Sequence, residues 1–388
     1  MGRGISDRRT PRATDESGAA GRANARRPIA VGLVGPLPPP SGGMANQTRQ
    51  LARLLREAGL VVEIVQVNRP YAPAWIERVS GVRALFRLLP YAARLWRCAG
   101  RVDVFHVMAN SGWAWHLFAA PAVWIARLRG VPAVVNYRGG ELAAFLERQI
   151  RWVRPTLARA AAIVVPSGFL QEVFARWRVR AEIVPNIIDL SRFAPGSRDP
   201  AALDVLVSRN LEDIYDIATA IEAFAAIRAL HPQARLTIAG SGPRRADLEA
   251  LCAKLALGAA VRFTGRVDNE QMPDLYRSAD VLLNPSLVDN MPISLLEAMA
   301  SGTPIVTTNV GGIPFLVEDG RTALLVEPRQ PQAMAAAVLR LIDDPALATR
   351  LSDAGLAAAR NYTWPKVRPR LFDVYARAIG RSVEGRDA

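Results

Sequence analysis

Short apolar runs that end in glycine-rich loops and are followed by helical periodicity recur along almost the whole chain. Ile29–Val34 is followed by the loop Gly35–Gly43 and by Met44–Ala58, where Leu51, Leu54 and Leu55 stand at helical spacing; Val61–Val67 is the next apolar run. Runs that are apolar without alternation fit strands buried on both faces, and parallel strands need a helical crossover. The pattern repeats at Val102–Val107, Ala133–Tyr137 and Ala161–Val165. After a Pro/Gly-rich stretch over Ala194–Ala201, it starts again at Asp204–Val207, Leu236–Ala239, Val261–Thr264, Val281–Leu283, Pro304–Thr307 and Ala323–Val326. Such alternation predicts an α/β chain built from two Rossmann-like, doubly wound domains that face each other across a cleft. The expected boundaries are a disordered basic tail over 1–27, a first domain over 28–194, a second over 202–360, and a final helix and tail over 361–388 that crosses back to the first domain.

Charge divides the chain in the same place. The net charge is +14. Residues 1–200 hold 29 Arg, no Lys and 13 acids, whereas the remainder is close to neutral. A basic half implies an anionic partner. The lack of any aromatic-plus-basic recognition motif argues against nucleic acid. Cys98 and Cys252 form no CxxC pair, and three scattered histidines do not suggest a zinc site. Val104–Ala126 carries no formal charge, but its His, Asn, Gly and Pro residues suit a strand, a loop and a buried helix better than a membrane span. From Trp75 to Arg101 a helix is expected, divided or kinked at Pro90. Arg83, Arg87, Arg94, Arg97 and Arg101 fall within roughly an 80° arc at ~100° per residue, with Leu85, Leu88, Leu89, Leu95 and Trp96 on the other side. That basic stripe is either a solvated surface or a contact for a membrane surface or an anionic acceptor.

The densest chemistry lies between Asn284 and Gly312. Asp289 sits in a loop before a helix that opens near Pro292, and Glu297 lies eight residues on, in that helix. A helix N-terminus with unpaired N–H groups favours an anion. Two carboxylates flanking it suit a ligand with a central phosphate and hydroxyl-bearing rings, as in a nucleotide sugar. Gly35–Gly43 lacks GxGxxG spacing, which disfavours a nicotinamide cofactor. Arg138 follows a strand where open parallel sheets gather ligands.

The motifs Ser41-Gly42-Gly43, Ile183-Val184-Pro185-Asn186, Gly240-Ser241-Gly242-Pro243, Asn284-Pro285-Ser286, Leu296 through Pro304 and Val310-Gly311-Gly312-Ile313-Pro314 occur in that order. In this the chain resembles the retaining glycosyltransferases of the GT-B fold, of the glycosyl transferases group 1, family 4 type, over about residues 29–380. The resemblance implies that the second domain binds a nucleotide diphosphate sugar as donor substrate, with no other cofactor and no metal. Asp289 would hold sugar hydroxyls and Glu297 the ribose. The free N–H groups over the stretch Asn290, Met291, Pro292 and Ile293, proline itself having none, would cradle the diphosphate and sugar, and Arg209 would neutralise the diphosphate. Arg266 would lie by the base, and Gly42 and Gly43 would approach from the other domain. Asn186, Gly240 and Gly242 complete the substrate-binding set, and Arg138, Arg209 and Asp289 the catalytic one. The expected acceptor is a saccharide or lipid-linked molecule, and the expected location is cytoplasmic or at the inner face of the plasma membrane. Three departures stand out: Asp289 in place of Glu, no Lys in the residues after Arg209, and Phe315 where Glu is usual. A nucleotide-sugar epimerase and a weakly catalytic subunit of a polysaccharide assembly complex are the alternatives.

Overall fold

The computed structural model describes residues 1, 27–39, 42–70, 83–196 and 203–383, and for residues 83–85 the backbone alone. Most of the tail expected over 1–27, Ser41, the helix start at Trp75 and residues 197–201 of the linker lie outside the described residues.

In the first half β1 (Ala30–Gly35), α1 (Gly43–Glu57), β2 (Val61–Gln66), α2 (Arg83–Ala99), β3 (Val104–Ala109), α3 (Ala120–Leu128), β4 (Ala133–Tyr137), α4 (Leu142–Leu157), β5 (Ala162–Val165), α5 (Gly168–Arg176) and β6 (Glu182–Ile183) follow in turn. The second half has β7 (Asp204–Ser208), α6 (Ile217–Leu230), β8 (Arg235–Ala239), α7 (Arg245–Lys254), β9 (Val261–Gly265), α8 (Met272–Ser278), β10 (Val281–Asn284), α9 (Ile293–Ala300), β11 (Ile305–Thr308), β12 (Leu324–Val326), α10 (Pro331–Asp343), α11 (Pro345–Ala359) and α12 (Trp364–Ile379). All the strands pair in parallel, in two six-stranded sheets ordered β2-β1-β3-β4-β5-β6 and β12-β11-β10-β7-β8-β9. Strand order reverses between β1 and β3 in one sheet and between β7 and β10 in the other. Ligand crevices form outside the carboxyl ends of strands at such switch points.

Both faces of the first sheet are covered. Val31, Leu33, Val104 and Val134 point to a core shared with α1 and α12, while Val34, Phe105, Val107 and Val135 point to a core shared with α2–α5. The period-2 geometry of strands sends neighbouring residues to these two layers. The final helix crosses back as expected: Val367, Leu371, Val374 and Tyr375 of α12 pack in the first domain's core. There the buried His106 ring bridges Asn136 (3.0 Å) and the Tyr375 hydroxyl (2.8 Å). Burial, together with the charge of Arg138, pushes His106 down to about 3, so the imidazole is neutral.

Pro90 stands inside α2, which runs on to Ala99, so the helix is not divided there. The apolar residues of α2 fall into two arcs. Tyr91, Leu95 and Cys98 are buried, whereas Phe86, Leu89 and Trp96 stand exposed. The basic stripe is not uniformly solvated either: the Arg94 Nε is buried, and Arg101 ion-pairs with Glu63. Val104–Ala126 forms β3, a π-turn over Trp115–Ala119 and the start of α3. Among the described residues no helix is long and apolar enough to cross a membrane.

Candidate functional site

The carboxyl end of β7 delivers Arg209 and that of β10 delivers Asn284, on the two sides of the switch point. Arg209 Nε donates to Asn284 Oδ1 at 2.7 Å, and its guanidinium ion-pairs with Asp289. Both side chains of that pair are 12% exposed. The guanidinium also stacks on Tyr215, 5.0 Å from the ring centroid. Tyr215 occupies the short 3₁₀ turn Asp213–Tyr215, in the segment that carries no lysine. The same turn supports the acidic loop, since Ile214 O accepts the N–H of Leu287 at 2.8 Å.

Backbone packing fixes Asp289 from the other side. Gly312 N donates to Asp289 O at 3.0 Å. A Cβ at Gly311 would come within 2.2 Å of Asp289 O, and one at Gly312 within 1.8 Å of Asn290 O. Such approaches require glycine. Gly240 and Gly242 meet backbone as closely: a Cβ would stand 1.9 Å from Arg209 O and 2.3 Å from Leu211 O. These glycines let the loop that carries Arg209 pack against them, and both keep part of their surface open to solvent. Gly42 and Gly43 are the opposite case: nothing lies within 4 Å of either Cβ position, and Gly43 opens α1 toward the other domain.

α9 starts at Ile293 behind Pro292, with no capping side chain and no acid in its first turn. Its free N–H groups therefore lie between Asp289 and Glu297, as the spacing predicts. Glu297 is buried, and burial pushes its carboxyl up to about 7 despite the nearby Tyr276 hydroxyl, Arg192 and Arg209. It lines a cavity of about 430 Å³ between the domains, with Gly43, Arg49, Arg53 and Arg192 also in the wall.

The first domain meets this loop directly. Arg138 donates to Gln47 Oε1 at 3.1 Å and also to Asn186 Oδ1. Asn186 Nδ2 in turn donates to Met291 O at 2.8 Å, and the Ser167 hydroxyl donates to Asn290 Oδ1. A Cβ at Gly140 would stand 3.4 Å from Val288. Burial lowers Arg138 to about 10, which leaves it a cation at neutral pH. Arg138, distant in sequence, thus stands one residue from the Asp289 loop. Phe315, uninterpreted in the sequence, leans across the same boundary: its ring lies 6.4 Å from that of Phe169 and occupies the space a Cβ at Gly168 would need.

Arg266 lies exposed after β9, and like Arg138, Arg209 and Asp289 it does not line the cavity that holds Glu297; of the candidate residues, Gly43, Ile293 and Glu297 do. Arg49, Arg53, Gln47, Ser167 and Tyr215 were missed. Arg49 and Arg53, four apart on α1, carry the only readable signal, one helix face next to a glycine loop. Tyr215 and Ser167 have none without the tertiary contacts.

Comparison with known proteins agrees with this architecture. The family model described as Glycosyltransferase Family 4 matches residues 41–192, and that described as Glycosyl transferases group 1 matches residues 193–357. Glycogen synthase of Mycobacterium tuberculosis is 30% identical over 313 residues, covering 76% of this chain and 73% of the relative. D-inositol 3-phosphate glycosyltransferase of Salinispora tropica is 29% identical over 401 residues, 87% of this chain and 82% of that one. Among solved structures, sucrose-phosphate synthase from Thermosynechococcus elongatus superposes with a TM-score of 0.71 at 21% identity, over 91% of this chain and 99% of that one. Anabaena Alr3699/HepE in complex with UDP and glucose superposes with 0.70 at 16%, over 90% and 100%. A two-sheet GT-B architecture, matched along both halves by family models and at length by a relative of this identity, places the chain in the glycosyl transferases group 1 family, of the family 4 type.

Proposed function

We propose that this glycosyltransferase moves a hexose-type sugar from a nucleotide diphosphate donor to a saccharide or lipid-linked acceptor, with retention at the anomeric carbon and without a metal, in assembly of cell-envelope glycolipid or polysaccharide. The observation that carries the reading is the convergence of Arg209, which pairs with Asp289 and acts electrostatically on Glu297, with the uncapped start of α9 that lies between these two acids in the chain. In it Arg209 and the α9 N–H groups oppose the charge of the departing diphosphate. Asp289 accepts from sugar hydroxyls and Glu297 from the ribose. Arg138, reaching from the first domain through Asn186, adds the second cation that the absent lysine would supply. The domain of residues 202–360 holds the donor, and that of residues 28–194 the acceptor. The Anabaena neighbour, in complex with UDP and glucose, is in keeping with a donor of this class. The protein works in the cytoplasm, with its basic half against the anionic inner face of the plasma membrane.

Thermal-shift measurements with UDP, GDP, ADP and their sugars test the donor assignment, since a ligand of the folded state alone raises its melting temperature. Donor hydrolysis in the presence of EDTA tests metal independence. A non-catalytic assembly subunit is the second reading, favoured by the lack of a base between Arg209 and Asp216. Turnover of donor at any measurable rate in the purified chain excludes it; donor binding with no hydrolysis and no transfer to any offered acceptor supports it.

A further inference from the structure

The outer surface of α2, α3 and α4 carries an unusual set of side chains. α2 presents Phe86, Leu89 and Trp96, α3 presents Trp124 and Leu128, and α4 presents Trp152. Leu89 is 66% exposed, Leu128 71% and Trp152 76%. On α2 the three span about 80° of arc at ~100° per residue, on the side away from Tyr91, Leu95 and Cys98. The helices are neighbours in one layer. Arg129, after α3, stacks over Trp96 at 4.8 Å, and Trp124 Nε1 donates to Thr156 on α4 at 3.0 Å. The other large apolar side chains that stand exposed among the described residues are scattered: Met1, Val61, Trp113, Leu230 and Phe315.

Charge on this face is predominantly positive. α2 and α3 contain no Asp or Glu, and α4 contains only Glu147. Arg97, Arg127, Arg129, Arg148 and Arg151 are exposed, and none has a carboxylate partner among the described residues. Aromatic rings and aliphatic tips that bury a few ångströms into the acyl boundary, ringed by arginines at headgroup level, make the chemistry of a surface-seated protein. A second copy of the chain would set arginine against arginine, and a nucleic acid offers nothing to Leu89 and Leu128.

We infer that the α2–α4 face docks on an anionic lipid bilayer through its apolar and aromatic side chains, with the arginines around them selecting negative headgroups. The inference deepens the membrane part of the proposed function and moves the contact from the arginine stripe of α2 to the apolar stripe beside it. α4 begins four residues after Arg138, so one end of this helix layer stands beside the candidate site. A lipid-linked acceptor would then reach the cleft without leaving the surface.

Co-sedimentation of the full chain with phosphatidylcholine vesicles containing about 30% phosphatidylglycerol tests this. Wild type is expected to bind these vesicles at least tenfold better than vesicles of phosphatidylcholine alone. The triple variant Phe86→Ser, Leu89→Ser, Trp152→Ser should lose about tenfold, while Leu230→Ser, exposed in the second domain, should lose nothing. Quenching of tryptophan emission by brominated lipid should fall in Trp152→Phe, which keeps the fold. Equal binding to neutral vesicles, unchanged binding of the triple variant, or a dimer in solution that the triple variant abolishes would each overturn the proposal. The assay contains neither donor nor acceptor: a chain that binds vesicles but transfers no sugar counts against the proposed reaction and leaves the docking face standing.

Discussion

Arg209 and Asp289, eighty residues apart in sequence, form an ion pair in which both side chains are largely buried, and Asn284 and Tyr215 hold the guanidinium in place from two other directions. Asp289 Oδ1 meanwhile accepts the N–H of Asn290 at 2.9 Å. In the proposed reaction the same guanidinium serves the diphosphate, so the carboxylate and the phosphate compete for it. When the diphosphate prevails, Asp289 Oδ2 is released to a sugar hydroxyl.

Asp289→Asn should therefore bind a nucleoside diphosphate more tightly, by about tenfold or ~1.4 kcal/mol, because the competing charge is gone. Transfer should fall on the order of a hundredfold or more. Isothermal titration of UDP, GDP and ADP beside turnover of the matching sugar nucleotide checks both signs. Weaker diphosphate binding in the variant would show that the acid supports the site and does not compete in it.

In the proposed reaction Arg138 acts on the leaving group more than on binding; in the fold it reaches the Asp289 loop through Asn186 and Met291. Arg138→Ala should abolish transfer while donor affinity falls only a few-fold. Loss of a donor to the buried Asn186 should also cost about 1–3 kcal/mol of stability. Kinetics and a denaturant melt on the same preparation separate the two effects; unchanged turnover would remove Arg138 from the mechanism.

Glu297, pushed up to about 7 by burial, is only partly ionised near neutrality. In the proposed reaction ribose hydroxyls donate to the carboxylate, so donor affinity should strengthen as pH rises from 6 to 8, by about tenfold if only the ionised form binds. Glu297→Gln should bind more weakly at pH 8 and show no such slope. The dissociation constant of the nucleoside diphosphate across this range is the measurement.

Stability against acid depends on His106. Its folded value of about 3 lies below its ordinary 6.5, so below pH 6.5 the unfolded chain binds the extra proton and stability falls as pH falls toward 3. Glu297 acts with the opposite sign: its folded value of about 7 lies above its ordinary 4.5, so the folded chain holds the extra proton and stability rises as pH falls from 7 to 4.5. His106→Gln isolates the histidine contribution. Relative to this variant, the wild type should lose about 2 kcal/mol between pH 7 and pH 5 in urea melts. Parallel curves would mean that the ring is not neutral in the fold.

Much of the architecture is legible from residues 29–380 because parallel α/β folding writes itself locally. Each buried strand is a short apolar run, each crossover a helix of known period, and each turn a glycine cluster. The Asp289–Glu297 spacing with Pro292 between them was readable for the same reason: both acids and the helix start lie within a few residues. Reading failed where a residue's meaning depended on an element far away. That Gly240 and Gly242 make room for the Arg209–Leu211 backbone is visible only in the fold. Phe315 has no meaning without Gly168 and Phe169 across the domain boundary. On α2 the periodicity marked one arginine arc and one apolar arc, but two apolar arcs exist, and only the position of β3 and α3 says which of them is core.

By itself, then, the sequence determined two parallel α/β units, the order of their elements, and the local pairing of two acids with a helix start, because these depend on side-chain period and on neighbours a few bonds away. Tertiary structure decided which charges meet. It paired Arg209 with Asp289, brought Arg138 to the Asp289 loop, buried Glu297 until its carboxyl titrates near neutrality, and left Leu89, Leu128 and Trp152 outside the core. Burial and through-space charge act over ångströms of folded space, and a linear chain carries no record of those distances.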